Sequence, residues 1–348
     1  MAPNQDVCAL LEKASRLRQT QETWECASLL ARAWITPPQE PPCRPYLLLI
    51  ANLAGKVLLT HVQKQPPEAE KLLEYLLQAM IRPELGAGRA RRPQVVYLDD
   101  EDYVATLTPV LAELSIRCQY RVSLPTLPKI RQFIERGLGG RDRFPGLLSI
   151  SSVTPPLVNH LYELAADYYR LSPWLWLDDH DPLEIRYPPE AAPRYGIVMG
   201  SGGEIFGLSV YDSVEDLQLV FQRDLSHRQL RRRATWLVLF FEEAMAMSFD
   251  DLDAIPKFGW PVADERAYPI FGRTTKTVEI ALPTKTDLLW LEGALSGIVH
   301  YLAQYQGSAF GPELVEDELL PVATLSGAAQ LRLRMPGLEE LFDDSHDS

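Results

Sequence analysis

Two apolar runs separated by glycines form the clearest pattern in the chain. Tyr195 to Met199 and Ile205 to Tyr211 are apolar or small at nearly every position, so both faces need cover, as in central strands. Gly200-Ser201-Gly202-Gly203 lies between them and supplies the positive φ angles of a tight hairpin. A phosphate-cradling loop would feed a helix, whereas Glu204 here opens another strand. Leu183, Ile185 and Tyr187 alternate with Glu184 and Arg186, the period of a strand with one wet face, expected nearer a sheet edge. Trp236 to Phe241 reads as a further buried strand and Ala329 to Leu333 as a last one. Leu288, Leu291, Leu295, Ile298, Val299 and Leu302 mark a long amphipathic helix, and Ser213 to Asp216 a capped helix start.

Earlier in the chain, helical spacing dominates the reading. Val7, Leu10, Leu11, Ala14 and Leu17 recur at it, as do Trp24, Ala27, Leu30, Ala31 and Trp34. Tyr46 to Val62 is expected to be a buried helix, and Leu72, Leu73, Leu76, Leu77 and Met80 the stripe of another. Residues 1–85 therefore read as a helical bundle, and Gly86 to Arg92 as a flexible basic linker. In residues 92–150, a strand at Gln94 to Leu98, a helix kinked or delayed by Pro109, a strand at Ile116 to Val122 and a helix capped at Thr126 form a βαβα segment. Residues 155–335 read as an α+β domain with a mixed sheet and flanking helices, and 338–348 as an acidic disordered tail. The fold class expected is α+β.

Pro173, Trp174, Leu177, Tyr195, Val198, Met199, Gly200, Gly203, Glu204, Phe206, Gly207, Leu208, Val210 and Tyr211 follow a pattern of Pro-Trp, Tyr-x-x-Val-Met-Gly and Gly-Glu-x-Phe-Gly-Leu-x-Val-Tyr. In these positions the chain resembles a family of uncharacterised bacterial domains. Gly259-Trp260-Pro261-Val262 and Ala267-Tyr268-Pro269 extend the resemblance over Leu161 to Gln306, and Arg92 to Glu135 is similar to a companion domain of the same proteins. The resemblance implies a domain organisation and carries no chemistry.

Composition narrows the function classes. Hydrophobic residues at 46% and charged residues at 23% are ordinary for a soluble globular protein. A net charge of -13 argues against general nucleic-acid or anionic-membrane binding. Cys8, Cys26, Cys43 and Cys118 have neither zinc-site nor CxxC spacing, so reduced thiols are expected. The start MAPNQDVC lacks a signal peptide's basic opening and apolar run, and Tyr46 to Thr60 contains Lys56 and is too short to span a bilayer. The expectation is a cytoplasmic protein with a protein partner and no cofactor.

Candidate chemistry lies in acidic turns, tryptophans and one basic run. Asp99 and Asp100 follow an expected parallel strand, where open sheets place ligands and carboxylates could hold Mg²⁺; helix capping is the competing account. A metal-dependent hydrolase or nuclease would gather them with Asp178/Asp179 and Asp250/Asp251, although no spacing requires it. Glu204, between a glycine turn and a buried strand, needs water or a partner, and Arg194 across the hairpin is the expected one. Trp174, Trp176 and Trp260 would be stacking anchors if exposed and core if not. Arg231 and Arg232 belong to the basic run HRQLRRR, a docking patch or a balance for local acids. No Gly-x-Ser-x-Gly, His-Glu-x-x-His or P-loop is present, so a non-catalytic binding or scaffolding protein leads.

Overall fold

A computed structural model describes residues 5–138, 145–221, 229–230, 233–275, 280–306 and 317–343. The fold is mixed α+β, divided into two compact units, residues 1–141 and 142–348.

The first unit contains α1 (Gln5–Ser15), β1 (Thr23–Leu30), β2 (Tyr46–Asn52), β3 (Val57–Gln63), α2 (Ala69–Ile81), β4 (Val95–Leu98), α3 (Glu101–Glu113), β5 (Arg117–Tyr120) and α4 (Leu127–Gly137). Its sheet runs β3-β2-β1-β4-β5, with β1 antiparallel to β2 and parallel to β4. This corrects the expected helical bundle: the stretch from Trp24 and the run from Tyr46 to Val62 are three strands. The cause is burial on both sides of the sheet. Leu48 and Ile50 pack with residues of α2 and α3, while Leu47, Leu49 and Ala51 pack with Leu127 of α4. A strand covered on both faces loses the period-2 alternation that would separate it from a buried helix.

The expected βαβα segment forms, with β4 parallel to β5. It is not set apart by a linker. Arg92 donates its backbone N–H to Arg18 and accepts from Thr20, and Arg91 pairs with Glu22 at 2.9 Å while lying over the Trp24 ring. The basic stretch is therefore tied to β1 at its C-terminal end, inside one unit. Thr126 makes no side-chain cap; its amide donates instead to buried Glu25, and the Arg32 amide donates to Glu135. Helix α3 runs through Pro109.

The second unit contains α5 (Pro155–Leu171), β6 (Leu183–Arg186), β7 (Arg194–Met199), β8 (Gly207–Tyr211), α6 (Val214–Phe221), β9 (Trp236–Glu242), α7 (Phe249–Phe258), β10 (Tyr268–Arg273), α8 (Lys285–Ala303), β11 (Glu318–Thr324), β12 (Gly327–Arg334) and α9 (Leu338–Asp343). The sheet order is β10-β9-β8-β7-β6-β12-β11, antiparallel at every pairing. Strands β7 and β8 form the expected hairpin, Tyr195 opposite Tyr211, and Gly200 and Gly203 take φ of 128° and 77° in its turn. Helices α5 and α8 cover one face, and a smaller cluster of Tyr195, Ile197, Tyr211, Leu217 and Trp236 covers the other.

Two expectations fail here. Strand β6 is interior, paired with β7 and with β12, because the last hairpin of the sheet returns to its open side. The acidic C-terminal stretch begins as helix α9, since Leu341 packs beside the small cluster and Phe342 meets Phe221 edge-on at 5.6 Å. Residues 344–348 lie outside the described residues.

Candidate functional site

The acidic residues singled out in the sequence fall into separate settings, and one of them, Asp100, caps a helix. Asp100 Oδ1 accepts from the amides of Asp102 at 2.8 Å and Tyr103 at 3.1 Å, the N-cap of α3. Asp99 beside it titrates above the ordinary carboxylate value, first through desolvation and then through the Asp100 charge. Asp251, in the first turn of α7, is buried and accepts from the Leu147 amide and the Ser248 hydroxyl. Asp178 and Asp179 share an exposed turn with His180, whose Nδ1 is 3.2 and 3.0 Å from their oxygens. These three offer ligand atoms within 4.8 Å of one another, the arrangement found among the described residues that could hold a metal ion.

The aromatic residues build core. Trp174 packs against Phe206 at 4.7 Å and Tyr169 at 5.4 Å, Trp176 is half-buried against the same core, and Trp260 is buried beside Tyr162 at 5.0 Å. Glu204 is exposed in the hairpin turn, and its expected partner Arg194 pairs elsewhere, with Asp212. The two residues sit at opposite ends of β7 and β8, which is why the hairpin cannot join them. Arg231 and Arg232 lie outside the described residues.

A different group of side chains converges at one end of the sheet. There β6 ends before Tyr187, β7 begins with Arg194, β8 ends before Asp212 and β10 ends with Arg273. The start of α8 closes this end, contributing Asp287 and Trp290. Tyr187, Ala191, Pro193, Arg194, Asp212, Arg273 and Trp290 line an open cleft of about 420 Å³.

Its charges are cross-braced. Asp287 closes a capping box with Thr284 and also accepts from Arg273 Nη1 at 3.0 Å. The other Arg273 nitrogen donates to Asp212 Oδ2, which takes a further bond from Thr235 Oγ1 at 3.2 Å. Arg194 is held differently. Its guanidinium carbon lies 4.5 Å from the centroid of the Trp290 ring, its Nε is 3.5 Å from Asp212 Oδ1, and its buried Nη1 has no hydrogen-bond partner among the described residues. Cation–π stacking fixes the guanidinium plane while leaving donors free. The arrangement is suited to recognition: a rigid cation beside apolar walls, with Asp287 and Asp212 Oδ2 engaged as acceptors and Asp212 Oδ1 without a hydrogen-bond partner among the described residues.

Sequence reading noticed Arg194 only as a partner for Glu204 and missed the others. Each ends or follows a strand, or opens a helix, in segments up to about a hundred residues apart, so the signal was positional and appears only with the strand order.

The fold and cleft define a two-unit α+β protein with no helix, among the described residues, long and apolar enough to cross a membrane. Residues 159–319 match a Domain of unknown function (DUF7309), and residues 10–135 match a Domain of unknown function (DUF6930). The first match takes in every cleft residue. No curated protein matches the chain.

Proposed function

We propose that this is a non-catalytic binding module, protein-binding or scaffolding in role, and that the strand-end cleft of the second unit is its recognition site. One observation carries the reading: Arg194 is stacked on Trp290 with a donor unused, while Asp212 and Asp287 beside it accept from Arg273. Such a site binds through a preset cation and apolar walls. The hydroxyls that meet its carboxylates, Thr235 on Asp212 and Thr284 on Asp287, belong to residues that do not line the cleft, so among the described residues no nucleophile and base face a bound ligand together, as acyl or phosphoryl transfer would ask.

The test uses the full chain with phosphate-ester, carboxylate-ester and phosphodiester substrates, in Mg²⁺ and in Mn²⁺. No turnover above buffer is expected. Turnover that disappears on Asp100→Asn or Asp179→Asn would overturn the proposal.

A metal-dependent hydrolase is the second reading, supported by the grouping of Asp178, Asp179 and His180. Two of the three acidic turns it needs have their oxygens engaged, Asp100 in capping α3 and Asp251 in accepting from the Leu147 amide and the Ser248 hydroxyl. Mg²⁺ or Mn²⁺ raising the melting temperature, with the rise lost in Asp179→Asn, would favour it.

A further inference from the structure

We infer that the strand-end cleft takes a single carboxylate, the free C-terminus of a peptide or the acid group of a small molecule, seated on Arg194. This rests on the reading of the protein as a binding module and specifies what the module binds.

The hydrogen-bond inventory leaves one cationic donor, Arg194 Nη1, and one acceptor, Asp212 Oδ1, unmet, and the cation is the group that calls for an anionic ligand. Arg273 spends one terminal nitrogen on Asp212 and the other on Asp287. Among the described residues Arg194 meets Asp212 at a long 3.5 Å from Nε, and its buried Nη1 has no hydrogen-bond partner. A buried, unpaired donor on a cation is costly, and an anionic oxygen is its best complement. The incoming oxygen does not have to displace Asp212, because it meets a different nitrogen.

Charge selects the kind of anion. The cleft already holds two arginines against two aspartates, so it is close to neutral before a ligand arrives. A phosphate monoester near neutral pH would bring about -1.5 to -2 close to Asp212, whereas a carboxylate brings one charge. The walls complete the case. Tyr187, Ala191 and Pro193 give the ligand's body an apolar surface, and about 420 Å³ suits one side chain or a small molecule better than a folded surface. Gly293 helps set that wall, because a Cβ there would fall 2.3 Å from the Tyr187 ring.

Titration calorimetry on the full chain tests the assignment with matched pairs: 3-phenylpropionate against 3-phenylpropanamide, and Ala-Ala-Phe with a free against an amidated C-terminus, with inorganic phosphate as a further probe. At least one acid should bind about tenfold or more tightly than its amide, and phosphate more weakly than that acid. The tighter acid names the source, peptide or small molecule. Arg194→Gln should abolish the preference, and the indole N–H resonance of Trp290 should shift with the acid. Amides binding as well as acids, phosphate binding best, no probe binding, or an unchanged preference in a folded Arg194→Gln protein would each overturn the carboxylate assignment. If Arg194→Gln does not fold, the acid and amide pairs on the natural protein decide alone. None of these results depends on turnover, so the binding-module reading stands or falls separately.

Discussion

His160 Nδ1 lies 2.6 Å from Glu292 Oε1, joining α5 to α8 through a carboxylate that is 1% exposed. The same oxygen accepts the Leu325 amide at 2.8 Å, so one side chain ties two helices to the turn between β11 and β12. Loss of this acceptor removes the partner of the part-buried Leu325 amide and of the His160 ring. Glu292→Ala should cost about 2–5 kcal/mol, and Glu292→Gln, which keeps an acceptor oxygen, distinctly less. Urea unfolding of both variants checks the order. Equal losses would mean that side-chain volume, not hydrogen bonding, is what Glu292 contributes.

Gly293 follows Glu292 and faces the cleft wall. Three Tyr187 ring atoms lie within 2.8 Å of where a Cβ would stand, so Gly293→Ala must move the ring or the helix. Overpacking of this kind costs about 1–3 kcal/mol, against which alanine's better helix propensity returns at most about 1 kcal/mol. The melting temperature should fall. The Trp290 indole resonance should move too, because Tyr187 and Trp290 line the same cleft. A melting temperature at or above the natural protein's would show that Tyr187 has room to yield.

Legibility in the sequence followed how each element is covered. The β7–β8 hairpin was plain because glycines punctuate two short apolar runs, and Ser213 and Asp100 announced real caps. Strands β1 to β3 were hidden because Leu47 to Ile50 meet helices on both faces, and Trp24, Ala27 and Leu30 fall at helical spacing by coincidence. The cleft was hidden for another reason. Arg194, Asp212, Arg273 and Trp290 become neighbours only when β7, β8, β9 and β10 lie side by side and α8 crosses their ends, and no local pattern records that order.

Helix α4 is held at both ends by buried acids of the first unit. Glu25 Oε2 accepts the Thr126 amide at 2.9 Å, and Glu135 Oε1 accepts the Arg32 amide at 2.6 Å. Glu25→Gln keeps an acceptor, whereas Glu25→Ala leaves the first turn of α4 with an unmet donor. The alanine variant should lose about 1–3 kcal/mol and lose amide-exchange protection in residues 127–137 before the rest of the unit. Exchange followed by mass spectrometry distinguishes this from uniform loosening, which would contradict a role local to α4.

Asp251 gives the second unit a pH-dependent stability of definite sign. Burial pushes its carboxyl from 3.8 up to about 6, with the Asp250 charge adding to the rise and the Leu147 amide and Ser248 hydroxyl restraining it. The folded protein therefore keeps this proton to higher pH than the unfolded chain does. Between about pH 4 and 6 the folded state binds more protons, so stability must fall as pH rises through that window. The contribution is fully present below about pH 4 and gone above about pH 6, a difference on the order of 3 kcal/mol. Other carboxylates titrate in the same range, and Glu22 and Glu215, whose values are lowered, act with the opposite sign. Comparison with Asp251→Asn removes them, because they are common to both proteins. The asparagine can still accept from Leu147 and bond Ser248 while carrying no charge. Subtracting the two denaturation profiles should leave a stability difference that shifts toward the variant between pH 4 and 6 and is flat on either side. A flat difference throughout, or one shifting toward the natural protein as pH rises, would mean that Asp251 is solvated well enough to ionise at its ordinary value.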